Sequence, residues 1–365
     1  MLLRMRFHVS RMVPGALALA ALGAAVVVAG SRPDANIPTA TAAKMRGLCW
    51  EGGREIDPRH LDPAVEVGAD WISQTPFGWC RGLADTEIVL ATGRVLWGES
   101  DSGLVKTAQW AHARGIKTLL KPHLWVHHGQ WVGDIDMQSA ADWRTWFASY
   151  ERWILHYAEL AEANGMEALA VGTELKAATH HTKEWRQIIR KVRAVYHGPL
   201  TYCANWSDEA ERIEFWDALD FAGVQAYYPL ATSEHPAPDE VRVGWKTAAN
   251  RIEMLARRTG KPVVLTEVGY KSMTGSLREP WAWDDSGPQD LDVQREAYAA
   301  MFETIWEKPW CGGVFIWKWH PRLLEGWGRA ACDFTPQGKP ALDVLRTWYR
   351  AAAQGAPPAR AAGRP

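Results

Sequence analysis

The chain has 365 residues, with 41 basic and 42 acidic side chains and a formal net charge of −1. That length can bury a large core and fits one α/β barrel with its loops. The even charge balance, with no Lys/Arg run interleaved with exposed aromatics, argues against a nucleic-acid partner. Tryptophan is the outlier: 22 residues against 9 Tyr and 8 Phe. Buried helix positions account for most of them. Flat aromatic rings also stack against the apolar face of a pyranose, so the tryptophans at strand ends carry the functional interest.

Arg4, Arg6 and Arg11 precede an apolar stretch from Met12 to Ala29. A basic region followed by an apolar one is an export signal, so residues 1–30 read as a signal peptide or N-terminal anchor. Ala40-Thr41-Ala42 offers small residues for cleavage, although far from the apolar stretch. The expected location is secreted or periplasmic. Membrane attachment follows only if the segment stays uncleaved, and its shortness and alanine content make it a poor span. Residues 31–44 form a polar, Pro- and Ala-rich linker.

Eight strand-like segments follow, at 46–50, 70–75, 117–122, 167–174, 200–205, 221–227, 262–267 and 313–317. Helical patterns lie between them, near 58–67, 103–114, 140–164, 183–196, 209–216, 241–259, 291–307 and 340–349. The clearest helix carries Trp143, Trp146, Phe147, Tyr150, Trp153, Ile154, Tyr157 and Leu160 at spacings of three and four, and stops at Asn164-Gly165. Such alternation implies parallel strands joined by right-handed crossovers. No G-x-G-x-x-G follows the first strand, so closure is favoured over an open dinucleotide-binding sheet. The expected fold is α/β, a single-domain (β/α)8 TIM barrel over residues 45–350, with 351–365 a disordered tail. The loops at 83–102 and 271–290 are long enough to be functional and would wall a cleft on the carboxyl face. The five cysteines show no CxxC spacing, which points away from structural zinc. Cys49 and Cys311 fall on the first and last strands, neighbours in a closed barrel, so a bridge between them stays open beside buried free thiols.

Two segments end alike. Leu169-Ala170-Val171-Gly172-Thr173-Glu174 and Val263-Val264-Leu265-Thr266-Glu267 each deliver a glutamate to the carboxyl end of a buried strand. In a (β/α)8 barrel that end is the active-site face. Two carboxyls on one rim suit retaining glycoside hydrolysis, in which one protonates the leaving oxygen and the other attacks the sugar, at a separation of about 5–5.5 Å. Their mutual repulsion favours the opposite protonation states which that chemistry needs. Other strand ends add Lys121-Pro122-His123-Leu124-Trp125, Asn205-Trp206, Gln225-Ala226-Tyr227-Tyr228-Pro229 and Trp317-Lys318-Trp319-His320. A tyrosine at the sixth strand's end could donate a hydrogen bond to Glu267. The pairs His127-His128 and His180-His181 diverge as adjacent side chains and make poor chelators. H-E-x-x-H and the G-x-S-x-G elbow are absent, so metal and serine hydrolase chemistry are disfavoured.

The ordered set Gly47-Leu48-Cys49-Trp50, Lys121-Pro122-His123, Val171-Gly172-Thr173-Glu174, Asn205-Trp206, Val224-Gln225-Ala226-Tyr227-Tyr228-Pro229 and Leu265-Thr266-Glu267-Val268-Gly269-Tyr270 resembles glycoside hydrolase family 113. That family belongs to clan A of retaining (β/α)8 enzymes, and its characterised activity is β-1,4-mannanase. The resemblance spans about 45–349. It implies Glu174 as acid/base, Glu267 as nucleophile, Tyr227 beside the nucleophile, and Trp317 as an aromatic floor. Many clan members place Asn directly before the acid/base to bond the sugar 2-hydroxyl. Here that residue is Thr173, and Asn205 on the neighbouring strand is the candidate replacement. The expected substrate-binding set is Trp50, Lys121, His123, Trp125, Asn205, Trp206, Tyr227, Tyr228 and Trp317. The chain is thus expected to be an exported, monomeric retaining hydrolase of β-1,4-linked polysaccharide, foremost β-mannan, with no cofactor or metal. The alternatives are a β-1,4-glucanase or xylanase of the same clan, or a non-catalytic carbohydrate-binding barrel.

Overall fold

A computed structural model describes Pro38, Ala40 and residues 43–90, 95–283, 286–323 and 332–355. The expected export segment, most of the linker, and the tail beyond residue 355 lie outside the described residues. Among the described residues, no helix is long and apolar enough to cross a membrane.

Eight parallel strands close into a barrel. In barrel order they are β1 (Met45–Trp50), β2 (Trp71–Gln74), β5 (Lys117–Leu120), β7 (Ala168–Thr173), β8 (Leu200–Asn205), β9 (Ala222–Gln225), β10 (Val263–Val268) and β11 (Cys311–Trp319), which pairs back onto β1. All eight expected strands are present. The helices on the outside are α1 (Asp62–Val67), α2 (Asp101–His112), α3 (Ala140–Ala163), α4 (Thr182–Val195), the one-turn α5 (Glu209–Arg212), α6 (Pro238–Thr259), α7 (Leu291–Met301) and α8 (Ala341–Ala353). Helix α8 runs three residues into the segment expected to be disordered, because Ala351, Ala352 and Ala353 are strong helix formers. The large aromatics fill the layer between sheet and helices, with Trp146, Trp153, Trp185, Trp245, Trp310 and Trp319 fully buried.

The sequence reading missed a second, three-stranded sheet: β3 (Phe77–Cys80) flanked by β4 (Val89–Leu90) and β6 (His123–Val126). Its origin is two prolines. Pro76 ends β2 and Pro122 ends β5, because neither can donate to the barrel ladder. Both chains then resume as strands, paired in parallel with Phe77 opposite His123 and Trp79 opposite Trp125. One face of this sheet packs on α3, so closely that a Cβ on Gly78 would sit 2.7 Å from Trp153 Nε1. The other face carries Phe77, Trp79, His123 and Trp125, all half-buried.

All five cysteines are free. Cys49 packs on the barrel axis, whereas Cys311 packs in the helix layer. They occupy opposite faces of the sheet, so adjacent strands do not make them a bridging pair.

Candidate active site

Strand alternation decides which side chains reach the mouth of the barrel. Cys49, Trp71, Leu119, Ala168, Phe221, Val264 and Phe315 form an apolar plug on the axis. Residues two positions further on, among them Ser73, Lys121, Thr266 and Trp317, make the next layer toward the carboxyl ends.

Glu267 needs more than alternation. Thr266 already faces inward and donates from its hydroxyl to Gln225 Oε1 at 2.9 Å. The register of β10 slips against β9 between Leu265 and Glu267, and against β11 between Leu265 and Val268. A bulge of this kind re-aims a side chain, and here two successive residues address the mouth. The Glu267 carboxylate is buried, accepting a hydrogen bond from Tyr227 Oη at 2.6 Å on one oxygen and the Lys121 ammonium on the other. Burial alone would raise its pKa. The Lys121 charge, with hydrogen bonds from Lys121, Tyr227 and Gln225, outweighs burial and holds it below the ordinary glutamate value. Lys121 responds in kind: burial opposes its charge, yet Glu267 lifts it to about 12. Its ammonium also lies 5.7 Å from the Trp317 ring centroid.

Glu174 follows the end of β7 and leaves strand geometry altogether, with φ of 54°. The left-handed region is strained for a residue with a side chain. It swings the carboxylate toward β8, where Asn205 Nδ2 donates to Oε1 at 2.7 Å. The orientation of the Asn205 amide is set in turn, because its Oδ1 accepts the Ser207 backbone N–H at 2.9 Å. His123 Nε2 stands 3.9 Å from the other Glu174 oxygen. Since Lys121 touches Glu267 and His123, two residues on, approaches Glu174, one short segment joins the two carboxyls at one mouth.

The remaining expected residues divide. Trp206 is half-buried and stacks on Trp281 with ring centroids 4.9 Å apart, while Trp281 comes from the 271–290 loop expected to wall the cleft. Tyr228 is buried at 6 % exposure, beneath Trp206 and the Arg251 guanidinium. Trp125 stands on the second sheet, 5.9 Å from Trp79. Two placements depart from the expectation of direct sugar contact. Trp50 is 3 % exposed and packs in the helix layer, because Cys49 takes the inward position on β1. Lys121 is fully buried with its ammonium committed to Glu267.

The structure also brings in three acids that the sequence reading did not single out, Glu51, Asp333 and Glu209, the first two beside Lys318 and His320 of the eighth strand end. Glu51, beyond β1, accepts from Lys318 Nζ at 3.0 Å and bonds His320, which reaches Asp333 Oδ2 at 3.0 Å with its other ring nitrogen. Burial opposes the His320 charge, but its two carboxylate partners raise its pKa, and they themselves are lowered, Asp333 to about 2. Alternation from Cys49 would have pointed to Glu51; nothing local would have linked it to Asp333. Beside Asn205, Glu209 is fully buried, and burial pushes its carboxyl up to about 8 despite hydrogen bonds that favour the anion. Among the described residues, no group of three or more His, Cys, Asp or Glu is arranged to hold a metal ion.

Comparison with curated proteins finds no match. Solved β-mannanase structures match over nearly their full length. The GH113 β-mannanase of Alicyclobacillus acidocaldarius in complex with ManMIm superposes with a TM-score of 0.76 at 29 % identity, covering 86 % of this chain and 99 % of that one. A complex structure of a GH113 β-1,4-mannanase gives 0.74 at 26 % identity, covering 85 % and 99 %. A β-glucuronidase of Ruminococcus gnavus, at 13 % identity and 0.57, covers 84 % of this chain and 50 % of its own, and shares the fold alone. The sequence pattern that defines Glycoside Hydrolase Family 113 matches residues 55–339. The chain belongs to that family and is a glycoside hydrolase.

Proposed function

We propose that this protein is an exported β-1,4-mannanase that cleaves with retention, using Glu267 as nucleophile and Glu174 as acid/base. The observation that carries the assignment is the unequal setting of the two carboxylates. Glu267, held ionised by Lys121 and Tyr227, suits attack on an anomeric carbon. Glu174, more open and oriented by Asn205, suits proton transfer.

In the first step a Glu267 oxygen bonds to the anomeric carbon as the glycosidic bond breaks, and the departing oxygen takes a proton from Glu174. In the second, Glu174 removes a proton from water, whose oxygen displaces Glu267 from the anomeric carbon. Both steps invert, so the product keeps the β configuration. Mannan as substrate is supported by the family neighbours, described as β-mannanases. Export is supported by the Arg-flanked apolar segment at the N-terminus.

The test is hydrolysis of a mannan oligosaccharide followed by proton NMR. A β-anomer as the first-formed product is expected. An α-anomer overturns double displacement, and release of sugar from glucan or xylan with none from mannan overturns the substrate.

A further inference from the structure

We infer that Glu209 and Tyr202 are positioning residues, which together hold Glu174 and its partner Asn205 in the geometry that proton transfer to the leaving group requires. The inference rests on Glu174 being the acid/base.

Glu209 opens the short helix α5 and has no exposed surface. Its Oε2 accepts the backbone N–H of Asn205 at 2.6 Å, and its Oε1 accepts the Tyr202 phenol at 2.5 Å. Tyr202 Oη in turn accepts the backbone N–H of Leu175 at 2.7 Å. Two arms therefore leave one carboxyl. One ends on Asn205, whose side chain donates to Glu174. The other ends on the peptide immediately after Glu174.

Between those anchors Glu174 holds its left-handed φ of 54°. A non-glycine residue in that region costs on the order of 1–3 kcal/mol and persists only when its surroundings over-determine it. The surroundings here are built to do so. A Cβ on Gly172 would lie 2.6 Å from Tyr202 Cε2, so the phenol ring fits against the backbone two residues before Glu174 only because that position is glycine. Trp185 and Phe215 pack the ring edge-on, with centroids 5.4 and 5.7 Å away. The phenol has no room to swing off Leu175.

Packing alone does not explain an acid at this place. A buried carboxyl loses its hydration, and an apolar side chain of the same volume would fill the layer at lower cost. What the acid adds is two oxygens that reach two separate units, each of which contacts or flanks Glu174.

The experiment compares Glu209→Gln and Tyr202→Phe with the wild type on two substrates. Mannan has a poor leaving group that needs protonation. A 2,4-dinitrophenyl β-mannoside has a leaving group that departs without it. Both variants are expected to lose about tenfold to a hundredfold in kcat/KM on mannan while keeping kcat/KM on the dinitrophenyl substrate within about threefold. An equal fall on both substrates marks a purely structural role and overturns the inference, as does no change on either. Should Glu209→Gln fail to fold, Tyr202→Phe, which keeps the packed ring, decides alone. A wild type active on mannan confines any such failure to this inference. A wild type inactive on both substrates overturns the functional reading and the inference with it.

Discussion

The two glutamates at the barrel mouth are the same residue at the ends of two similar strands, yet their surroundings are built in opposite ways. Glu267 sits in the barrel layer itself, with a buried ammonium on one oxygen and a phenol on the other. Glu174 sits above that layer on a strained backbone, touched by a neutral amide and approached by an imidazole. The first setting fixes a charge; the second fixes a direction. Charge comes from burying a carboxylate beside a cation, which low dielectric makes strong. Direction comes from backbone and amide hydrogen bonds, which orient a group without committing its proton.

Removing the charge altogether breaks the comparison most severely. Glu267→Gln should lower kcat by about 10⁴-fold while oligosaccharide binding persists, as checked by steady-state kinetics alongside calorimetric titration. Turnover left intact would mean that Glu267 is not the nucleophile.

Lys121→Met tests the charge through its partner. Glu267 is lowered in the folded protein, so it stabilises the native state above the unfolded carboxyl's pKa, and that stabilisation is lost as pH falls through the folded value. Without Lys121, burial dominates and the carboxyl rises. The acidic limb of the pH–rate profile should move to higher pH, and unfolding free energy should fall by about 3–5 kcal/mol. A profile and a denaturation midpoint both unchanged would contradict the role given to the ion pair.

Asn205→Ala sharpens the contrast, because it touches only the Glu174 side. It should cut kcat on mannan by about tenfold to a hundredfold yet leave the acidic limb where it was. A limb that moves would mean that the two settings are coupled rather than separate. The mildest change is Trp281→Ala, which removes the ring stacked on Trp206. KM for mannan oligosaccharides should rise several-fold, about 1 kcal/mol, at unchanged kcat. An unaltered KM would remove this stack from the substrate path.

Much of this was legible in one dimension. Strands that end a barrel layer must be short, apolar and regularly interrupted by helices, so all eight could be located, and a glutamate closing two of them stood out. The long helix α3 announced itself by spacing. The second sheet did not, because Pro76 and Pro122 read as strand stops and only the paired register of the two resumed segments makes them strands again. Trp50 misled because its place beside a strand end drew attention, while the inward position belonged to Cys49.

The amino-acid order by itself determined the repeat, the barrel, and which strands carry acids to the rim, since these follow from local periodicity and from what each residue type can bury. Only the tertiary structure decided what each acid can do. The bulge that turns Glu267 inward, the ammonium of Lys121 against it, and the Glu209–Tyr202 brace behind Glu174 join residues between 4 and 146 positions apart. Those contacts depend on three-dimensional closure, in which burial and opposed charge are balanced across strands rather than along one.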